Sequence, residues 1–87
     1  MVSADVVIKN KVGLHSRPAT CFIQKANEFK CGMWIEKDSK KVNAKSLLGV
    51  LSLGVLQGAE IRIIADGSDE ADALNAMKAL VEANFAD

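Results

Sequence analysis

The stretch NKVGLHSRPAT, Asn10–Thr20, holds the chain's single histidine and its single proline. Proline is tolerated in the first turn of a helix, where its missing N–H would have had no intrahelical partner, so Pro18 marks a helix start. Ser16 is of a type favoured as N-cap. The first turn leaves unpaired backbone N–H groups facing the preceding residue, His15, and such a turn welcomes an anion. The positive helix end and Arg17 both disfavour a protonated ring, so His15 is expected in its neutral, nucleophilic form, able to attack phosphorus. Once a phosphoryl group is on the ring, the same N–H groups and the Arg17 guanidinium become donors to its oxygens. A surface histidine that merely precedes or caps a helix is the reading these residues alone leave open beside it.

A second segment could carry chemistry. Ser46 is placed to cap a short helix and Gly54 to end it. Within that helix Leu47, Leu48 and Leu51 share one stripe, while Val50 and Leu53 lie on another. One stripe is core; the other is either core as well or an exposed docking surface. Thr20, one turn beyond Arg17, is expected on the same surface as the histidine. No metal site is expected, because one histidine with Cys21 and Cys31 at an unsuitable spacing supplies no ligand set.

These residues need elements to position them. DVVIKN and the alternating MWIEK read as strands, with Asp38 and Ser39 forming a turn before a third strand at Lys41–Ala44. EIRIIADG is a fourth, presenting Ile61, Ile63 and Ala65 on one side. Apolar residues at Ala19, Phe22, Ile23 and Ala26 form a helical stripe, and Leu74, Met77, Leu80 and Val81 form another. Ser68 or Asp69 is expected to cap the last helix, with Glu70 and Asp72 at its positive end. Trp34 and the acidic last helix are expected to be structural. The order strand, helix, strand, strand, short helix, strand, helix predicts an α+β domain, a mainly antiparallel sheet with helices on one face.

Composition narrows the function. The 87 residues form one domain, 1–87, too small for a cleft between domains. Eleven basic residues balance eleven acidic ones, so no global field draws the chain to nucleic acid or an anionic membrane. No tyrosine is present, and one tryptophan with three phenylalanines gives no aromatic pair for stacking bases, which argues against a module that binds RNA or a metabolite through its sheet. Two buried, reduced thiols, no targeting segment and no apolar run of membrane-spanning length point to a cytoplasmic protein without membrane insertion.

Over nearly its whole length the sequence resembles the HPr phosphocarrier family of the bacterial phosphoenolpyruvate-dependent sugar phosphotransferase system. GLHSRPAT is similar to the family's phosphohistidine motif and KSLLGVLSLGVLQGAEI to its regulatory-serine segment, the two standing in register. The resemblance implies an open-faced β-sandwich of four strands with three helices. It implies phosphoryl transfer from enzyme I to Nδ1 of His15 and onward to sugar-specific enzyme IIA domains, with Arg17 as the phosphate partner and no cofactor. It further implies that HPr kinase/phosphorylase acts on Ser46 and that a catabolite-control transcription regulator is a partner. Ser16, Thr20, Leu47, Leu48 and Leu51 are then the expected partner-binding residues of a monomer. Ser16 stands where the family usually has alanine, and Val12 where a small polar residue is common. Regulatory paralogues in the family lack the active histidine, so His15 favours a carrier serving sugar transport; the alternative is a protein acting mainly through Ser46 in carbon catabolite repression.

Overall fold

Four segments alternate core-facing with solvent-facing side chains or run continuously apolar, and they join in one antiparallel sheet of order β1-β4-β2-β3: β1 Val2–Val7, β2 Gly32–Lys37, β3 Lys40–Asn43 and β4 Glu60–Asp66. Three helices, α1 Ser16–Ala26, α2 Leu47–Ser52 and α3 Glu70–Glu82, complete the computed structural model, which describes residues 1–86. The architecture is the expected open-faced sandwich of four strands and three helices.

Met33 and Ile35 of β2 and Ile61, Ile63 and Ala65 of β4 form the floor of the core, closed from above by Ala19, Phe22 and Ala26 of α1 and Ala73, Met77 and Val81 of α3. Truncating a fully buried member such as Phe22 or Met77 to alanine removes about 2–5 kcal/mol by lost transfer energy and residual cavity. Ile23, Leu74 and Leu80, expected on the core stripes, are half-buried at its margin.

Several boundaries differ from those the sequence suggests. The first strand is Val2–Val7 rather than Asp5–Asn10. Val2, Ala4 and Val6 alternate with Ser3, Asp5 and Val7, a half-buried pattern weaker to the eye than the β-branched run, while Lys9 and Asn10 already lead into a turn closed by the Gly13 N–H on the Asn10 carbonyl (3.2 Å). The third strand begins at Lys40, because Asp38 and Ser39 both take positive φ (51° and 70°) and complete a two-residue hairpin turn with Lys37 opposite Lys40. Asp69 precedes α3 but does not cap it; its carboxylate accepts the Lys30 (2.8 Å) and Cys31 (2.9 Å) N–H groups and ties the α1–β2 loop to the start of α3. Only one thiol is buried: Cys31 is in the core, its thiol pushed up by that burial, whereas Cys21 is half-buried. Trp34 lies on the open face of the sheet under the Lys41 ammonium, 5.7 Å from the ring centroid.

The carboxylates that brace this frame set its acid sensitivity. The Lys30 N–H, with the Cys31 donors, holds Asp69 below the ordinary carboxylate value; Arg62 does the same for Asp5, and the Gly67 N–H, aided by the terminal ammonium, for Glu70. A carboxyl depressed in the folded state adds stability above its unfolded value, about 4, and that stability is lost as pH falls through the folded value. Urea midpoints are therefore expected to be level near neutrality and to drop below about pH 4. Asp69→Ala is expected to lower the neutral midpoint and to flatten the acid limb, because one of the depressed groups is gone.

Candidate functional site

The loop that delivers His15 is set by a glycine that tolerates no side chain. Gly13 has φ +65°, and a methyl group there would overlap the Val55 carbonyl oxygen and lie 2.9 Å from Leu56 Cα. Leu14, fully buried, donates its N–H to that same Val55 oxygen at 3.0 Å. The histidine loop is thus fastened to the chain just beyond α2, whose C-cap is Leu53. His15 follows in an extended conformation (φ −133°, ψ 161°), half-buried at the start of α1.

Ser16 is not the cap its residue type suggested. His15 occupies the N-cap position with no side-chain cap hydrogen bond, and Ser16 itself takes φ 55°. A residue with a Cβ in this left-handed region is strained by roughly 1–2 kcal/mol. The chain needs that turn to pass from the extended His15 into the helix. No acidic residue occupies the first turn of α1, so its N–H groups present the positive end of the helix at His15, and Arg17, two residues on, is exposed. Thr20 is exposed, and its hydroxyl donates to the Ser16 carbonyl at 3.5 Å. The arrangement can receive an anion next to a nitrogen nucleophile: the ring nitrogen forms a bond to phosphorus, the donor departs with its bonding pair, and the phosphoryl oxygens accept from the surrounding donors.

Ser46 is the N-cap of α2, extended at φ −107°, and its Oγ accepts the Gly49 N–H at 3.1 Å. A cap of this kind is worth about 0.5–2 kcal/mol. The segment before it is braced from below, since Lys45 Nζ donates to the Phe29 carbonyl at 2.7 Å and Asn43 Oδ1 accepts the Lys45 N–H at 2.8 Å. Val50 is buried and Leu53 nearly so, while Leu47 is 46% and Leu48 80% exposed and Leu51 half-buried, which separates the two stripes read from the sequence. Gly54, with φ +62°, follows the helix end. Val12 (52%) and Leu56 (63%) add two exposed apolar side chains on the loops joined at Gly13. Leu56 and the packing role of Gly13 escaped the sequence reading. The spacing of Asn10 and Gly13, first and fourth residues of a turn, was the signal available for the latter.

The described residues contain no cluster suited to a metal ion and no helix long and apolar enough to cross a membrane.

The fold and the histidine loop define a small open-faced α+β protein with one histidine at a helix start, and comparison with known proteins makes the class specific. The family model described as the PTS HPr component phosphorylation site matches residues 2–83. The chain belongs to the HPr family. The HPr-like proteins Crh of Halalkalibacterium halodurans and Bacillus subtilis are each 48% identical over 82 residues, covering 94% of this chain and 98% and 96% of theirs. The phosphocarrier protein HPr of Neisseria meningitidis is 38% identical over 85 residues, 98% of this chain and 96% of that one. Among solved structures, HPr-C-His of Thermoanaerobacter tengcongensis superposes with a TM-score of 0.97 at 49% identity over 98% of this chain and 96% of that one. Crh of Bacillus subtilis, described as a dimer with a swapping domain, gives 0.77 at 45% identity over the whole of both chains.

Two substitutions separate the buried from the exposed parts of this surface. Gly13→Ala combines overlap at Val55 with left-handed strain and is expected to cost about 1–3 kcal/mol or more in urea unfolding. Leu48→Asp, at an exposed position, is expected to stay within about 0.5 kcal/mol of wild type. A loss near that of a core truncation would place Leu48 in the core.

Proposed function

We propose that this protein is an HPr-family regulator whose main output, carbon catabolite repression, is governed by phosphorylation of Ser46, and that His15 is a second phosphoryl acceptor. The observation that carries the reading is the position of Ser46: its hydroxyl caps α2 at the border of the exposed Leu47 and Leu48. The 48% identity with two Crh proteins supports it, and the 49% identity with HPr-C-His of Thermoanaerobacter tengcongensis supports the carrier reading below. An HPr kinase would transfer the γ-phosphoryl group of ATP to Oγ, which loses its proton as ADP leaves. The product places about −1.5 to −2 charges beside an apolar surface. A partner that buries Leu47, Leu48 and Leu51 must then desolvate the phosphate, which disfavours docking of enzyme I and enzyme IIA, while the new acceptor oxygens suit the arginines of a transcription regulator.

The transport reading, favoured in the sequence because His15 is present, is kept as the second. Its support is the half-buried His15 with Arg17 two residues on, at the start of a helix whose first turn carries no acidic residue. In it His15 takes the phosphoryl group of phospho-enzyme I and passes it to enzyme IIA domains, with Arg17 and the first-turn N–H groups steadying the charge. The relatives do not confirm the expected monomer, since the Bacillus subtilis Crh structure is a dimer.

Intact-mass measurement tests both sites. Incubation with enzyme I and phosphoenolpyruvate is expected to add one acid-labile phosphoryl group that His15→Ala abolishes, and incubation with HPr kinase and ATP is expected to add one acid-stable group that Ser46→Ala abolishes. A Ser46 that accepts nothing overturns the regulatory reading; a His15 that accepts nothing overturns the carrier reading. Ser46→Asp is expected to slow phosphorylation of His15 by enzyme I while shifting stability by no more than roughly 1 kcal/mol, since the charge sits at a helix N-terminus. Arg17→Ala is expected to slow transfer with the fold intact.

A further inference from the structure

The peptide unit joining Gly13 to Leu14 is held at both of its polar atoms. The Gly13 carbonyl accepts from Asn10 Nδ2 at 2.9 Å, and the Leu14 N–H donates to the Val55 carbonyl at 3.0 Å. The peptide is planar, so fixing both atoms fixes the orientation of the whole unit. Leu14 is anchored by full burial, and the next residue is His15. The path by which the imidazole leaves the chain is therefore set one residue earlier, by a bond at each edge of one peptide plane.

Asn10 is unusual in its other atom. Its Oδ1 is buried and, among the described residues, is the one buried side-chain oxygen or nitrogen without a hydrogen-bond partner in the protein. Exchanging the two ends of the amide would turn Oδ1 against the Gly13 carbonyl, acceptor facing acceptor, so the donor orientation is the one this neighbour requires. A buried acceptor without a partner lowers stability. Leucine has the same branched shape but would leave the Gly13 carbonyl without its donor, so what the amide specifically supplies here is the hold on that peptide.

We propose that Asn10 is a positioning residue for phosphoryl transfer at His15: its amide locks the Gly13–Leu14 peptide and, through it, the approach of the imidazole to phosphorus. The inference rests on His15 being a phosphoryl acceptor. Attack on phosphorus depends on alignment, and a misplacement of about 1 Å is able to cost on the order of a hundredfold in rate. Gln57 supplies the control, because its Nε2 ties the same loop at the Lys9 carbonyl (3.0 Å) without touching the locked peptide.

The experiment is steady-state transfer from phospho-enzyme I, with wild type, Asn10→Leu, Asn10→Ala and Gln57→Ala as the varied acceptor and a melting curve for each. Both Asn10 variants are expected to lower kcat by about tenfold or more with KM within about twofold. Asn10→Leu is expected to fold and to melt near the wild-type temperature, since it removes one unpaired buried acceptor and leaves another at the Gly13 carbonyl, and Gln57→Ala to keep wild-type kcat. A folded Asn10→Leu with wild-type kcat overturns the proposal, as does a change confined to KM. An equal fall in kcat for Gln57→Ala overturns it too, by assigning the loss to a generally loosened loop. If neither Asn10 variant folds, Asn10 is structural and the proposal is wrong. A wild type that accepts no phosphoryl group overturns the carrier role of His15 and this inference with it, whereas an active wild type matched by its Asn10 variants overturns this inference alone.

Discussion

The contact of Gly13 and Leu14 with the Val55 carbonyl joins the two parts of this molecule that carry chemistry. Val55 lies two residues beyond the C-cap of α2, the helix Ser46 begins, and Leu14 immediately precedes His15. Close approach without a Cβ at Gly13 and the Leu14 N–H bond to Val55 together seat one loop on the other, and that approach is closed to any residue but glycine at position 13. That seat sets the histidine loop directly against the segment that follows the serine helix.

The rest of the fold supplies the rigidity this seat requires. The antiparallel ladders place β4 in the middle of the sheet beside β1 and β2, and β4 is the strand that receives the chain after Val55. Its apolar residues sit under α1 and α3, so both loops rise from elements that share one core. At the rim Ser16 turns through a left-handed conformation to begin α1, and Leu47, Leu48, Val12 and Leu56 remain exposed. A protein optimised only for stability would bury or replace those side chains. Their exposure, beside Ser46 for Leu47 and Leu48 and on the loops joined at Gly13 for Val12 and Leu56, fits a surface made to meet partners, and a charge placed on Ser46 would change that surface without disturbing the core.

Much of this was legible in the sequence because the signals were periodic or chemically singular. The stripes of α1 and α3, the alternation of β2 and the apolar side of β4 follow from side-chain period alone. Ser46 was legible as a cap, and the partition of Val50 and Leu53 from Leu47 and Leu48 follows from helical spacing. Readings based on residue type without geometry did less well. Ser16 has the chemistry of a cap but the backbone of a left-handed turn, and Asp69 turns its carboxylate to Lys30 and Cys31, residues remote in sequence. The first strand slipped because Ser3, Ala4 and Asp5 dilute its apolar face. The contact of Gly13 with Val55 is tertiary, and no local pattern announces it. The residues of the site pull both ways, since His15 favours transport and Ser46 regulation; the similarity to Crh over most of the chain inclines the reading to regulation.

The most direct test is repression of a catabolic reporter by glucose in the source organism carrying either Ser46→Ala or His15→Ala at the native locus. The account predicts that repression is lost with Ser46→Ala and retained with His15→Ala. Repression that survives Ser46→Ala, with glucose uptake failing in His15→Ala, would contradict it and make this protein a transport carrier first.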